Sequence, residues 1–251
     1  MSASVLHLLL ENDAVSAHNG AQPRIYQRWK ARLDLFTAAV LLILTCPVIL
    51  LAMVLVKLTS RGPAIYMQQR LGHGGRTFTI YKIRTMYQHS ERDTGAVWSC
   101  PGDPRVTPVG RILRAAHVDE LPQLVNILRG EMALIGPRPE RPEITAQLER
   151  VLPGYRNRLN MRPGVSGLAQ VQLPPDSEIA GVALKLSYDL YYVRNLNLWL
   201  DLRITAATLL KVLMVPFAAI RWLLRFPTFP AKVTPSELPA HTPALTAELL
   251  I

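Results

Sequence analysis

From Leu35 to Val56 the chain runs for 22 residues without a charged side chain. That length is what an α-helix needs to cross a hydrocarbon core, and 49% hydrophobic content overall agrees with a membrane segment. Pro47, just past the middle, has no backbone N–H and interrupts helical hydrogen bonding. The pieces on either side, 35–46 and 48–56, would each be about 14–18 Å long, short of a core of about 30 Å. Both flanks are basic: Arg24, Arg28, Lys30 and Arg32 before, Lys57, Arg61 and Arg70 after. Positive flanks stay on the cytoplasmic side. A helix-break-helix, turning at Cys46-Pro47 and returning to the same leaflet, satisfies both facts. An ordinary Pro-kinked span is the alternative and would put the two flanks on opposite sides.

Net charge is +10, from 28 Lys and Arg against 18 Asp and Glu. Such a balance suits anionic lipid, phosphorylated substrates or nucleic acid. No basic patch interleaved with aromatics and no nucleic-acid motif is present, which speaks against nucleic acid. The two cysteines, Cys46 and Cys100, are too few for a disulfide framework or a zinc site.

The chain divides into a flexible terminus (1–23), the membrane segment (24–58), a domain (59–226) and a Pro-rich flexible tail (227–251). In the domain, Ala64–Arg70 and Arg76–Arg84 flank Gly72-His73-Gly74-Gly75, a hairpin signal. Phe78 and Ile80 are expected to face a core and the basic residues to face out, with Lys82 and Arg84 on one face of the strand; a solvated face explains that pair as well as a phosphate site does. Residues 87–106 read as a surface loop. Thr107 and Pro108 mark the N-cap and first position of a short helix that carries Arg114. Glu140–Leu152 reads as a charged, solvated helix, and Ile179–Asn195 as a helix bearing Tyr188, Asp189, Tyr191 and Tyr192. Leu198–Phe226, apolar but interrupted by Asp201, Arg203, Lys211, Arg221 and Arg225, reads as one or two interfacial helices; a buried core helix is the alternative.

Asp119 and Glu120 open a further helix whose Leu121, Leu124, Val125 and Leu128 form one apolar face and which stops at Gly130. An N-cap and a first-turn acid would explain the pair structurally. Two further stretches favour an anion site. Gly136-Pro137-Arg138-Pro139 holds one Arg in a stiff loop. Arg162-Pro163-Gly164-Val165-Ser166-Gly167 sets Arg beside glycines that let backbone amides approach a ligand; a plain turn is the alternative. Phosphate favours a helix N-terminus, yet two carboxylates stand there, so a phosphorylated substrate needs a bridging divalent cation such as Mg²⁺. An ionised Asp beside such a phosphate can accept the phosphoryl group. P-loop, dinucleotide and nucleophile-elbow signatures are absent from the sequence.

Six motifs in this order carry a resemblance: the basic-Asp34-apolar-Pro47 segment, Tyr81-Lys82-Ile83-Arg84-Thr85-Met86, Val118-Asp119-Glu120-Leu121-Pro122-Gln123, Gly136-Pro137-Arg138-Pro139, Arg162 to Gly167, and Asp189-Leu190-Tyr191-Tyr192-Val193. Over roughly Tyr26 to Val215 the chain resembles the bacterial polyprenyl-phosphate hexose-1-phosphate transferases, the monotopic phosphoglycosyl transferases. The resemblance implies an α+β, mostly helical fold: a re-entrant membrane helix, a small β-hairpin, catalytic helices and amphipathic interfacial helices on the cytoplasmic face of the inner membrane. It implies transfer of sugar 1-phosphate from a UDP-sugar to undecaprenyl phosphate with release of UMP, as the first membrane step of exopolysaccharide or other surface-glycan assembly. Asp119 would be the nucleophile and Glu120 its catalytic partner, the two holding Mg²⁺. Lys82, Arg84, Arg114, Arg138, Arg162 and Asp189 would bind or organise substrate. Cys46-Pro47 stands where Ser-Pro is common in the family, so a weak thiol replaces a hydroxyl at the break. A non-catalytic membrane-surface protein of the same fold is the alternative. The sugar and the oligomeric state are not legible.

Overall fold

The computed structural model describes residues 24–88, 90, 102–173 and 179–229. The expected flexible terminus, most of the Pro-rich tail, Cys100 and the middle of the 87–106 loop lie outside these residues.

Helix α1 runs from Arg24 to Thr59, 36 residues, with Pro47 inside it. Helical structure passes through Cys46 and Pro47, so the expected division into two helices is not found. Pro47 removes one backbone donor, but packing of Ile49, Ala52 and Val56 beyond it holds the next turns. These three cluster with Ala64, Ile83 and Leu113. At the other end Ala38 and Leu42 pack with Phe78, Ile80, Leu124, Ile127 and Met132. Tyr26, Lys30, Asp34, Ala38, Leu42, Ile49, Ala52 and Val56 thus form a helical stripe docked on the domain along the whole helix. The opposite face leaves Phe36, Ile43, Leu44, Leu51, Val54 and Leu58 exposed.

Strands β1 (Ile65–Leu71) and β2 (Thr77–Ile83) form the expected antiparallel hairpin. Phe78 and Ile80 are buried, as the alternation requires. Helix α2 (Pro108–Ala115) begins at Thr107, whose side chain accepts from the Gly110 N–H. Two short elements replace the helix expected from Asp119: a 3₁₀ turn, Val118–Gln123, and helix α3, Leu124–Leu128. Pro122, the fifth of the six residues of the turn, denies it an α-helical donor. The expected stripe is correspondingly altered: Leu124 and Ile127 are buried while Leu128 is exposed. Gly130, at φ 75°, stops the helix as expected.

Strand β3 (Ala133–Ile135) pairs in parallel with β4 (Gly164–Ser166). The pairing explains the glycines in both motifs. A Cβ on Gly164 would stand 2.1 Å from the Gly136 nitrogen, and one on Gly167 would stand 2.2 Å from the Gly136 oxygen. The glycines let two backbones meet each other, which corrects the reading that they admit a ligand. Helix α4 (Pro142–Val151) is not simply solvated: Ile144, Leu148 and Val151 join Tyr155, Val182, Leu186 and Leu190 in a buried cluster. Helix α5 is Leu168–Gln172 and α6 is Ile179–Arg194. The 198–226 stretch forms two helices, α7 (Leu198–Val212) and α8 (Phe217–Leu224). Each has an inner face in the core, Leu200, Ile204, Ala207 and Ile220, and an apolar outer face with Trp199, Leu209 and Trp222 exposed.

A buried polar cluster fastens α1 to this body. Lys30 Nζ lies 3.2 Å from Asp34 Oδ2 and 3.1 Å from Asp201 Oδ2. Tyr26 donates to Asp201 Oδ2 at 2.7 Å, and Tyr192 donates to Asp201 Oδ1 at 2.5 Å. Lys30→Met would leave two buried carboxylates without their cation. We expect a loss of about 3–5 kcal/mol in chemical unfolding of detergent-solubilised protein, and partial recovery when Asp201→Asn is added. Equal midpoints for wild type and Lys30→Met would refute the clamp.

Candidate active site

The dyad sits just after a sharp reversal. Helix α2 ends at Ala115, and His117 takes φ 54°, the left-handed region, at the N-cap position of the 3₁₀ turn. Histidine is among the residue types enriched there. The N-cap residue, His117, makes no side-chain capping bond. Asp119 is therefore not a cap but a first-turn residue, 7% exposed.

The two carboxylates have different surroundings. Glu120 Oε1 accepts from Lys82 Nζ at 2.8 Å and from Arg138 at 2.5 Å, and Oε2 accepts from Arg138 at 3.3 Å. Arg138 and Lys82 hold its carboxyl well below the usual range despite burial. Asp119 accepts no hydrogen bond and forms no ion pair among the described residues. Burial, and then the adjacent Glu120 charge, push its pKa up to about 6, against the pull of Lys82, Arg114 and Arg138. The cations face Asp119 without being spent on it.

Arg114 reaches the site from α2. Its Nε donates to Thr85 Oγ1 at 2.8 Å, and it lines a cleft of about 200 Å³ with Gly102, Asp103, Val106 and Arg111. Arg138 is held from behind. Arg158 donates to the Arg138 carbonyl at 2.8 Å and, through Nε and its terminal nitrogen, to Asp189 Oδ2 at 3.0 and 2.7 Å. Asp189 is thus a buried anchor for Arg158, not a group that faces substrate.

Two expected members lie elsewhere. Arg84 donates to the Ser60 carbonyl and hydroxyl, each at 2.9 Å, and to the Arg61 carbonyl. It ties the chain just past the C-terminal end of α1. The Arg162 side chain is exposed, and its carbonyl backs onto Gly136; no contact among the described residues joins it to the dyad. Three further groups belong to the surroundings: Arg158, Thr85, and Lys211 of α7, whose charge acts on Glu120 and His117. In the sequence nothing singles out Arg158, and Lys211 reads only as an interruption in an apolar stretch. Only contacts across the chain distinguish them.

Among the described residues no group of three metal-ligating side chains occurs. Mg²⁺ characteristically takes one or two carboxylates plus water and phosphate oxygens. The Asp119 oxygens fit that use. Those of Glu120 are already occupied by Lys82 and Arg138.

A family model described as bacterial sugar transferase matches residues 25–215. The chain is 42% identical over 189 residues to a UDP-N-acetylgalactosamine-undecaprenyl-phosphate N-acetylgalactosaminephosphotransferase of Aeromonas hydrophila, covering 75% of this chain and 44% of that protein. It is 43% identical over 198 residues to a UDP-glucose:undecaprenyl-phosphate glucose-1-phosphate transferase of Caulobacter vibrioides, covering 77% and 73%. It is 36% identical over 189 residues to an exopolysaccharide production protein of Rhizobium leguminosarum bv. phaseoli, covering 73% and 94%. The chain therefore spans less than half of the Aeromonas relative.

The unlike carboxylates make opposite demands on stability. Asp119 binds its proton more tightly folded than unfolded, so stability falls as pH rises from about 4 through about 6 and the penalty persists above. In metal-free buffer at pH 7.5, Asp119→Asn should be more stable than wild type by about 2–3 kcal/mol, and the gain should vanish near pH 4. Glu120→Gln should be destabilised at pH 7.5, because Lys82 and Arg138 lose their shared anion. Thermal unfolding of both variants across pH checks the signs.

Proposed function

Because the chain belongs to the bacterial sugar transferase family, we propose that it transfers a hexose 1-phosphate from a UDP-sugar to undecaprenyl phosphate, with Asp119 as nucleophile. The carrying observation is a buried carboxylate that has no hydrogen-bond or ion-pair partner among the described residues and lies in the field of Lys82, Arg114 and Arg138. Its pKa near 6 leaves it mostly ionised at neutral pH and more basic, hence more nucleophilic, than an exposed Asp.

The step balances without an added co-reactant. An Asp119 oxygen attacks the phosphorus that bears the sugar. The bond from that phosphorus to the oxygen bridging the diphosphate breaks, and the bridging oxygen leaves on UMP. Asp119 then carries the phosphosugar. An oxygen of the lipid phosphate attacks the same phosphorus, the bond to Asp119 breaks, and the product is a lipid diphospho-sugar with the carboxylate restored. Arg138 and Arg114 offset charge on the non-bridging oxygens. Glu120 keeps Arg138 and Lys82 aimed, and its own charge keeps Asp119 basic. Asp119 would hold Mg²⁺ when it is bound, and the ion would supply further charge neutralisation. The relatives' names differ in the sugar, glucose in one and N-acetylgalactosamine in another, so the proposal stops at hexose.

The outer faces of α1, α7 and α8 support a monotopic placement in the cytoplasmic membrane, with the domain on the cytoplasmic face. A span needs about 20 residues clear of the domain, whereas the longest interval between stripe residues of α1 is Ile43–Val48. Both basic flanks then lie on one side, and the lipid acceptor reaches the site from the surface the helices occupy.

Given UDP-sugar labelled in the β-phosphate and no lipid, wild type should retain label on the protein, with one UMP released per site. Asp119→Asn should retain none. Label on both proteins would remove Asp119 as nucleophile, and no UMP from UDP-glucose, UDP-galactose or UDP-N-acetylgalactosamine would favour a non-catalytic membrane protein. The first half-reaction should also slow as pH falls through about 6.

A further inference from the structure

The charge of Lys211 acts on Glu120 and Arg138, but Lys211 takes no part in the Glu120 ion-pair cluster. Its Nζ donates to the Gln170 carbonyl at 2.9 Å and lies 5.5 Å from the centre of the Phe217 ring. An ammonium has three donors, and one is used. Among the described residues no carboxylate lies within ion-pair distance of it, although it is partly buried. Burial without an acid partner disfavours the charged form, as do Arg138 and Lys185 nearby. A cation held there, within the field of Glu120, His117 and Arg138, is satisfied by an anion arriving from outside.

The element that carries Lys211 indicates which anion. Lys82 comes from the hairpin, Arg114 from α2 and Arg138 from a loop. Lys211 lies on the inner face of α7, whose outer face exposes Leu198, Trp199, Leu202 and Leu209. Helix α7 ends one residue later, at Val212, and the turn beyond it leaves Leu213 73% and Met214 82% exposed. An amphiphile lying along that apolar end has a short path, about one helix diameter of 10 Å, to bring a charged head under the helix. A water-soluble nucleotide sugar gains nothing from such a neighbourhood.

We propose that Lys211 binds the phosphate of the polyprenyl-phosphate acceptor, whose hydrocarbon runs out over Val212, Leu213 and Met214. This rests on the transferase reading above and assigns its second half-reaction a residue of its own. Donor binding and the first phosphoryl transfer are left to Lys82, Arg114 and Arg138.

The two half-reactions separate the possibilities. With UDP-sugar alone, Lys211→Gln should release the same stoichiometric burst of UMP as wild type. With undecaprenyl phosphate added in detergent micelles, its KM for that lipid should rise about tenfold, as expected for losing one charge-assisted hydrogen bond, with kcat changed much less. Lys211→Met, which keeps an unbranched stem against Phe217 but carries no charge, should lose the affinity as Lys211→Gln does, and Lys211→Arg should restore most of it; full affinity in Lys211→Met would mark the role as packing. Met214→Ser should raise the same KM and leave the burst intact. An unchanged KM for the lipid, or a burst reduced in step with turnover, would overturn the assignment. Absence of a burst in wild type would overturn the transferase reading, and the assignment with it.

Discussion

Glu120 is the carboxylate on which the site depends. By accepting from Lys82 and Arg138 at once it joins strand β2, the 3₁₀ turn and the Gly136–Pro139 loop at one point. The chain of contacts continues through the Arg138 carbonyl to Arg158 and on to Asp189 of α6. Lys82, Glu120, Arg158 and Asp189 are largely buried, and a buried charge of either sign is costly alone, so each has an opposite charge beside it, with the partly exposed Arg138 linking the two pairs. The linkage also creates the asymmetry beside it. Glu120 absorbs the direct bonds of two cations and remains ionised, and its charge, added to burial, keeps Asp119 basic. Two adjacent carboxylates on one short turn acquire different chemistry because only one of them reaches the cations.

A second constraint is the apolar helix. A 36-residue segment with so many exposed Leu, Ile, Val and Phe side chains needs both an apolar environment and a reason to stay with the domain. The Lys30–Asp34–Asp201 cluster supplies the second at one end, and the Val56–Ile83–Leu113 contact supplies it at the other. Tyr192 connects this anchor to the site: its hydroxyl donates to Asp201 and lies 3.1 Å from the Ile135 carbonyl, one residue before the loop that carries Arg138. In the proposed placement, the surface that meets the membrane and the loop that meets the phosphate share one rigid support.

Where the structure departs from the sequence reading, a long-range contact decided. Arg84 and Lys82 share a strand face, yet Lys82 meets Glu120 while Arg84 meets the end of α1. Arg162 and Arg138 each stand beside a proline in similar motifs. The parallel pairing of β3 with β4 brings their backbones together at Gly136, but only the Arg138 side chain reaches Glu120. The helix-capping explanation for Asp119 failed because the left-handed His117 took the N-cap position.

The sequence by itself determined the elements whose causes are local. The uncharged run and its basic flanks follow from composition, the hairpin from its glycines and alternation, the start of α2 from Thr107-Pro108, and the stop of α3 from Gly130. It also presented the Asp119-Glu120 pair and the Arg138 loop as candidates for anion chemistry beside a capping explanation of the pair, and the six motifs in order decided between the two. Tertiary structure alone decided which carboxylate is occupied and which is left open, that α1 stays one docked helix through Pro47, and that Arg158 and Lys211 stand by the site. Those outcomes depend on desolvation and on ion pairs between residues far apart in the chain. The cost of burying a charge is set by what folding brings beside it, and no local pattern records that neighbour.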